Sequence, residues 1–241
     1  KVIDGTGTGK AISLTSSSGN TIKNCYLARF DYGIYFSNSS PNNTLDNISS
    51  NYHDNTSIYI NISDNTSLTN IEANNNSEGI SLNSSDSNHF DDITLNNNTN
   101  YGIFAQSSTY NNFTNITAAN NGGNALYLTS SNSNIFSNIN IVGNSLGSYS
   151  NNGLKFVSSD NNTATSSAFK LNSLNIILDA DSGNNRFYNN NFTSKYKISD
   201  SGVGNLWDNG TNTGNWWEAF DTEAENCVNS SNICAADYEV K

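Results

Sequence analysis

Apolar and polar residues alternate along the chain in a motif that recurs about every 22 residues. Two apolar positions separated by one residue open each copy: Ile12-x-Leu14, Ile34-x-Phe36, Ile58-x-Ile60, Ile80-x-Leu82, Ile103-x-Ala105, Leu126-x-Leu128 and Leu154-x-Phe156, with a weaker eighth copy at Ile176 or Ile177. The successive spacings are 22, 24, 22, 23, 23 and 28 residues. Alternation with a period of two predicts β-strands that bury one face.

The later positions of each copy repeat as well. The eighth residue after the first apolar position is Asn or Thr, in turn Asn20, Asn42, Thr66, Asn88, Asn111, Asn134 and Asn162. A repeat this short leaves no room for a strand–helix–strand crossover, so each strand must pair with its counterparts in neighbouring copies. The pattern therefore predicts an all-β fold: a right-handed, single-stranded parallel β-helix of about 8 coils of 22–24 residues. Stacked Asn side chains would form ladders and occupy the left-handed turns.

The repeat weakens in two places, which predicts the domain organisation. Residues 142–152 form a Gly/Ser/Asn-rich insertion, expected to be a loop. After Asp200 the pattern stops, and all three Trp residues lie in the last 35 positions. Because a solenoid must cover its open end, we predict a β-helix over residues 1–209 and a small C-terminal cap over 210–241. Cys227 and Cys234 would form a disulfide in the cap, with metal ligation as the alternative.

Composition narrows the function classes. The chain is 34% hydrophobic and carries a net charge of −11, with no Lys or Arg between Phe30 and Leu154, which argues against nucleic acid as a partner. No stretch approaches 18 apolar residues, so no membrane span is predicted. The chain has neither an initiator Met nor a signal peptide, and we expect a mature or trimmed secreted form. Cys25 fills a slot that later coils fill with Ile, and is expected in the core.

The coil pattern Gly-Ile-x-Leu-x5-Asn-x-Phe-x-Asn-Ile resembles the right-handed β-helix repeats of the NosD-like family. The opening residues 3–9, the segment 21–26, and the ending Gly214-Asn215-Trp216-Trp217 with its later Cys pair resemble members found in archaeal secreted and cell-surface proteins. The resemblance implies a β-helix outside the cytoplasm. The family's named member assists copper-site assembly. This chain has no Met and only His53 and His89, so we expect no copper site.

Few residues suggest catalysis or metal binding. His89 and Asp91 are weak catalytic candidates. Equal slots of adjacent coils place Ser67, Asn112, Thr69 and Thr114 beside them, which adds no second carboxylate and no cation, so no catalytic site is predicted. Asp179 and Asp181 fall in a turn and could contribute to a Ca²⁺ site, although two carboxylates alone are weak evidence for one, and no cofactor is expected. Arg29 and Asp31 are expected to form a surface pair. A stripe of exposed aromatics (Tyr35, Tyr59, Phe104 and Tyr127) could stack on sugar rings, on another protein, or simply on each other.

Asn-x-Ser/Thr sequons are about as frequent as chance allows in so Asn-rich a chain, so position must decide which could carry glycans. The glycosylation candidates are Asn38, Asn55, Asn75, Asn83, Asn97 and Asn191. By contrast, Asn42, Asn115 and Asn161 lie at or near ladder slots and are expected to be buried.

We therefore expect an extracellular, non-enzymatic structural protein, a filament or cell-surface subunit. Cations concentrate at the start of the chain and acids at its end, which suits head-to-tail stacking through Lys1, Lys10, Trp216 and Trp217. The alternative is a carbohydrate-active enzyme or glycan-binding module on the same scaffold, with surface glycans as partners.

Overall fold

The computed structural model describes residues 1–144, 152–193, 198–211 and 213–217. Within these ranges the chain is a right-handed parallel β-helix built from two sheets. The first sheet contains β1 (Val2–Asp4), β3 (Thr21–Ala28), β5 (Thr44–Asn51), β7 (Ser67–Glu72), β9 (His89–Asn96), β11 (Asn112–Ala119), β13 (Ile135–Ser137), β14 (Asn140–Val142), β16 (Thr163–Thr165), β17 (Ala168–Lys170), β19 (Arg186–Tyr188), β20 (Asn191–Phe192) and β22 (Trp216–Trp217). The second sheet contains β2 (Lys10–Thr15), β4 (Tyr32–Ser37), β6 (Thr56–Asn61), β8 (Glu78–Asn83), β10 (Ile103–Gln106), β12 (Leu126–Thr129), β15 (Asn152–Val157), β18 (Leu174–Leu178) and β21 (Ser199–Asp200).

Every strand pairs in parallel with its counterpart one coil away, as the repeat predicts. Ile58, for example, lies between Ile34 of the preceding coil and Ile80 of the next. The weak eighth copy begins at Ile176, which pairs with Leu154 and is buried, whereas Ile177 faces outward. We number the coils 1 to 9 by the nine strands of the second sheet, so β8 belongs to coil 4.

Sharp corners join the strands, and the residues at these corners have left-handed backbone conformations. In coil 4 the corner residues include Ser84, Asp92 and Asn97, with φ of 48°, 56° and 57°. Asn, Asp and Ser are the residues that tolerate this region best after glycine, because their short polar side chains bond the local backbone. The abundance of Asn and Ser in the sequence therefore matches the several left-handed corner positions of each coil.

Buried polar side chains form ladders behind these corners. The backbone N–H of Asn98 donates to Oδ1 of Asn121 (3.0 Å), and the N–H of Asn121 donates to Oδ1 of Asn144 (2.9 Å). A second Asn ladder and a Ser ladder run parallel to it, through Asn88, Asn111, Asn134, Asn162 and Asn185, and through Ser40, Ser63, Ser85, Ser108 and Ser131 respectively. Each rung gives a buried N–H a partner that the strands cannot supply.

The prediction that Asn42, Asn115 and Asn161 are buried is wrong. All three are exposed and occupy left-handed corner positions. In coil 2 the repeat is shifted by one residue relative to the other coils, and the shift begins before the corner. The buried ladder residue is therefore Asn43, whose Oδ1 accepts the N–H of Asn20 at 2.7 Å.

The interior holds rows of Ile and Leu together with a stack of aromatic rings. Phe113 lies between Phe90 and Phe136, with ring centroids 4.7 and 4.9 Å apart and nearly parallel planes. Further along the axis Phe187 stacks on Trp207 at 4.6 Å. Rings stacked at the spacing of the coils therefore pack against one another along the core while their strands keep the same register.

The coil pattern continues beyond Asp200, contrary to the expectation that it stops there. Asn205 accepts the N–H of Asn185 and so extends the second Asn ladder by one coil. Asn215 likewise accepts the N–H of Asn190, which itself accepts from Ser167 of the preceding coil. The predicted cap, with its disulfide between Cys227 and Cys234, lies mostly in residues 218–241, outside the described residues. The boundary at residue 209 and the disulfide stay predictions.

Candidate functional site

Aromatic side chains concentrate on the outer surface of the second sheet. The position between the two core residues of each strand points outward, and from coil 1 to coil 7 it is occupied by Ser13, Tyr35, Tyr59, Ser81, Phe104, Tyr127 and Lys155. The position two residues before the first core residue forms a neighbouring column, occupied in coils 1 to 5 by Lys10, Tyr32, Thr56, Glu78 and Tyr101. We call these two columns, from Lys10 to Lys155, the aromatic face.

A first aromatic triad lies on coils 2 and 3. Tyr35 stacks on Tyr59 with ring centroids 5.0 Å apart, and Tyr32 meets the edge of Tyr35 at 5.0 Å and lies 5.9 Å from Tyr59. The hydroxyl of Tyr32 accepts a hydrogen bond from Nδ2 of Asn55 (2.7 Å). On coil 1 the ammonium of Lys10 lies 3.4 Å from the centroid of the Tyr35 ring, a cation–π contact.

A second triad repeats the first three coils further on. Tyr101, Phe104 and Tyr127 occupy coils 5 and 6, with centroid distances of 5.4 to 5.5 Å between each pair. The ammonium of Lys155 on coil 7 lies 5.2 Å from the centroid of the Tyr127 ring. Since neighbouring coils are about 4.8 Å apart, equivalent points of the two triads are about 14 Å apart along the axis. All six rings are half-buried, because they cover one another.

Coil 4 separates the triads and carries Glu78 and Ser81 in these two columns instead of rings; Glu78 is half-buried and Ser81 is buried. The hydroxyl of Thr56 donates to Oε2 of Glu78 (3.4 Å), and Ser81 also hydrogen bonds to this carboxylate. Burial raises the pKa of Glu78 above its ordinary value. Burial likewise raises the pKa values of Tyr32, Tyr59 and Tyr101, and the Glu78 charge adds to each shift. The three hydroxyls therefore stay protonated at neutral pH and can both donate and accept hydrogen bonds.

The sequence predicted the stripe of Tyr35, Tyr59, Phe104 and Tyr127, and the structure places these rings on one face. It missed Tyr32, Tyr101 and Glu78. The sequence nevertheless contained a signal for these residues. In the strands of the second sheet, the alternation of inward and outward side chains begins two residues before the first core position, at Lys10, Tyr32 and Glu78.

His89 and Asp91 lie on the first sheet, away from the aromatic face. His89 pairs with Ser67 and Asn112, and Asp91 with Thr69 and Thr114, as the slots predicted. Oδ1 of Asp91 accepts a hydrogen bond from Nδ2 of Asn115 (2.7 Å). Asn115 is an exposed corner residue of the next coil, and the weak catalytic assignment gains no further partner among the described residues.

The other predicted polar residues take structural contacts. Oδ1 of Asp179 accepts hydrogen bonds from Ser182 Oγ (2.6 Å) and the Ser158 N–H (3.1 Å). Asp181 is exposed, and within the described ranges no group of three or more His, Cys, Asp or Glu side chains could hold a metal ion. Arg29 pairs with Asp4 of the preceding coil, not with Asp31, whose carboxylate accepts the Gly9 N–H at 2.8 Å.

The glycosylation candidates differ in accessibility. Asn83 is half-buried and donates to Oδ1 of Asn61 (2.7 Å), whereas the other candidates are exposed: Asn38, Asn55, Asn75, Asn97 and Asn191. At the predicted assembly ends, the backbone N of Lys1 donates to the carbonyl of Asn24, Trp216 is exposed, and Trp217 stacks on Phe192 at 4.3 Å. Glycosylation and assembly stay predictions.

His53 occupies a slot that the sequence did not reveal. It replaces Asn in the first ladder: its Nδ1 accepts the Phe30 N–H (3.2 Å), and its own N–H donates to Oδ1 of Asn76 (2.9 Å). Nε2 lies 3.0 Å from Oγ of Ser50. Because Nδ1 acts as an acceptor, the bond network places the proton of the neutral ring on Nε2. Burial lowers the pKa of His53 to about 4.

The family model described as "Periplasmic copper-binding protein (NosD)" matches residues 1–149. No curated protein matches the chain. Within the described ranges, no helix has the length and apolar character needed to cross a membrane.

Several solved structures share the fold. Tailspike protein 2 of Escherichia coli O157:H7 bacteriophage CAB120 is 16% identical with a TM-score of 0.63, over 77% of this chain and 29% of the tailspike. A DFA-IIIase from Arthrobacter chlorophenolicus A6, solved with DFA-III, is 10% identical with a TM-score of 0.59, over 95% of this chain and 62% of its own. Pectate lyase Pel9A is 16% identical with a TM-score of 0.58, over 96% of this chain and 78% of the lyase. At these identities the likeness shows the fold alone.

The described residues do not fit the copper in the family's description. Copper sites in proteins use imidazole, thiolate or thioether ligands. Both ring nitrogens of His53 are engaged inside the ladder, and the sequence contains no Met. His89 is exposed on the first sheet, where its strand neighbours are Ser67 and Asn112.

Proposed function

The chain belongs to the NosD family, and on that premise we propose that it is a glycan-binding protein that works outside the cytoplasm and holds its ligand along the aromatic face. The two matching triads on either side of coil 4 carry the proposal. The family's periplasmic description supports the location.

The triads suit a sugar chain by shape and chemistry. The C–H faces of a pyranose ring are apolar and pack on aromatic faces, while its hydroxyls lie around the edge. The half-buried rings provide such faces, and the tyrosine hydroxyls, Asn55 and Glu78 provide hydrogen-bond partners beside them. Because the triads are about 14 Å apart along the axis, one extended oligosaccharide can contact both, and binding at two places strengthens each contact.

Binding is better supported than hydrolysis. Glycoside hydrolysis commonly needs two carboxyl groups flanking the bond that breaks. Between the triads the face presents one carboxylate, Glu78. The likeness to a pectate lyase supports a carbohydrate ligand, although the long stretch from Phe30 to Leu154 without Lys or Arg favours a ligand other than an acidic polysaccharide.

A glycan array probed with the purified chain tests the proposal, followed by calorimetric titration of the best ligand. Tyr59→Ala and Tyr127→Ala each remove one ring from a triad and should weaken binding at least about tenfold. Tyr26→Ala is the matched control, since Tyr26 is an exposed strand residue of the first sheet. The proposal fails if no glycan binds, or if Tyr26→Ala weakens binding as much as the triad variants do.

Head-to-tail self-association is a second proposal. It is favoured by charge, because four of the ten cations lie in residues 1–29 and eight acids lie in residues 200–239. Light scattering over a range of concentration and ionic strength tests it. A mass that stays monomeric at high concentration and low salt would contradict it.

A further inference from the structure

We propose that the centre of the aromatic face binds an amine-bearing sugar, of the glucosamine class, with Glu78 as the counterion of the ligand's ammonium group. This inference rests on the proposed glycan-binding function and specifies the chemistry of the ligand at coil 4.

The first argument is that Glu78 has no cationic partner among the described residues. Its carboxylate is half-buried and is hydrogen bonded by two neutral hydroxyls, those of Thr56 and Ser81. In the part of the chain that the structure describes, the ion pair is Arg29 with Asp4, at another place on the helix. A carboxylate removed from water without a counterion is destabilised, and this is the cause of the raised pKa of Glu78. A ligand ammonium would supply the missing charge.

The second argument is the set of rings around Glu78. Tyr101 occupies the same column as Glu78 one coil further on, and Tyr59 lies on the preceding coil, where it pairs with Ser81. The Glu78 charge also raises the pKa values of both tyrosines. Tyrosine ring faces attract cations, and a cation surrounded by several rings is held more strongly than one beside a single ring. The face already shows this preference at its two ends, where Lys10 lies over Tyr35 and Lys155 over Tyr127.

The third argument is the break in the stripe. Ser81 stands in a row where the preceding coil has Tyr59 and the following coil has Phe104. A small residue at this point leaves Glu78 as the largest side chain of coil 4 on the face. A sugar that bridges the triads therefore places its central ring next to the carboxylate. A uronic acid at that position would bring two negative charges together in a partly desolvated site, and it would be rejected.

The test compares two hexasaccharides of equal length, glucosamine hexamer and N-acetylglucosamine hexamer, by calorimetric titration at mildly acidic pH. The wild-type chain should bind the glucosamine hexamer about tenfold more tightly, the size expected for one partly desolvated ammonium among aromatic rings. Glu78→Gln keeps the shape of the side chain and should remove the preference. Glu72→Gln makes the same change of charge at an exposed position of the first sheet and should keep it.

The outcomes separate the two proposals. If both hexamers bind equally to wild type and Tyr59→Ala weakens both, glycan binding stands and the role of Glu78 is overturned. The role of Glu78 is also overturned if Glu78→Gln keeps the preference for the amine, or if Glu72→Gln loses it equally. If neither hexamer binds but another glycan on the array does, the amine-sugar ligand is overturned alone. If no glycan binds, both proposals fail.

Discussion

His53→Asn should make the protein less sensitive to acid. In the other coils of this ladder the slot holds Asn, whose Oδ1 accepts the N–H of the preceding coil, as Asn76 does for His53. An Asn at position 53 can accept the Phe30 N–H in place of Nδ1, so the ladder should survive at neutral pH. The perturbation therefore removes the titrating group with little change in structure.

The magnitude follows from proton linkage. The pKa of His53 is lowered by burial from 6.5 to about 4, and the side chain is 3% exposed. The neighbouring Asp54 charge opposes this shift but does not overcome it. In the unfolded chain His53 takes up a proton as the pH falls through 6.5, whereas in the folded chain it stays neutral until about pH 4. The unfolded state binds more protons in this window, so stability is full above pH 6.5 and falls toward pH 4, by roughly 3 kcal/mol in total.

Urea unfolding measured at intervals from pH 7.5 to 4 checks this linkage. Carboxylates also titrate near the lower limit, so the useful quantity is the difference between wild type and His53→Asn at each pH. That difference should be small at pH 7 and should grow to roughly 3 kcal/mol in favour of the variant at pH 4. His89→Asn, which removes an exposed histidine, is the control and should follow wild type. Parallel curves for wild type and His53→Asn would refute the reasoning.

Two further predictions concern the buried ladders. Thr66 interrupts the second Asn ladder, and its Oγ1 is buried with no hydrogen-bond partner among the described residues. Thr66→Asn should restore an acceptor for the preceding coil and stabilise the fold by about 1 kcal/mol, measured as a higher urea midpoint; a lower midpoint would contradict this. Asn121 accepts from both nitrogens of Asn98 and donates to the Leu95 carbonyl and Asn144. Asn121→Ala should therefore destabilise by roughly 3 kcal/mol or more, against less than about 0.5 kcal/mol for the exposed Asn100→Ala; equal midpoints for the two would contradict it.

The repeat predicts the strands and their register because backbone pairing imposes the same spacing on every coil. For this reason the neighbours of His89 and Asp91 could be named from spacing alone. The side-chain partners of corner residues could not be predicted from spacing, because they depend on where a coil gains or loses a residue. Arg29 pairs with Asp4 of the preceding coil and not with Asp31, which is only two residues away in the sequence. Asn43 and not Asn42 is the ladder residue, because the repeat of coil 2 is shifted by one residue before its corner. The position of Glu78 on the face could have been predicted from the alternation, but its raised pKa and its lack of a counterion among the described residues could not, because they are properties of packing.

In a repeating fold, a residue that departs from its row is more informative than one that follows it, and the side it faces decides its meaning. Departures that face inward occupy ladder positions, so their cost depends on the hydrogen bonds they keep. His53 still accepts the Phe30 N–H and costs stability only in acid, whereas Thr66 leaves its Oγ1 without a partner among the described residues. Departures on the outer side of the second sheet, such as Glu78 and Ser81, are not ladder positions, so the stacking of the coils does not decide which residue stands there. The coil rules therefore do not require Glu78 and Ser81 between two matching aromatic triads, and they do not require the triads to match. A ligand that contacts both triads and the carboxylate would account for all three features together, which is why the aromatic face, and not the ladders, is the place to look for function.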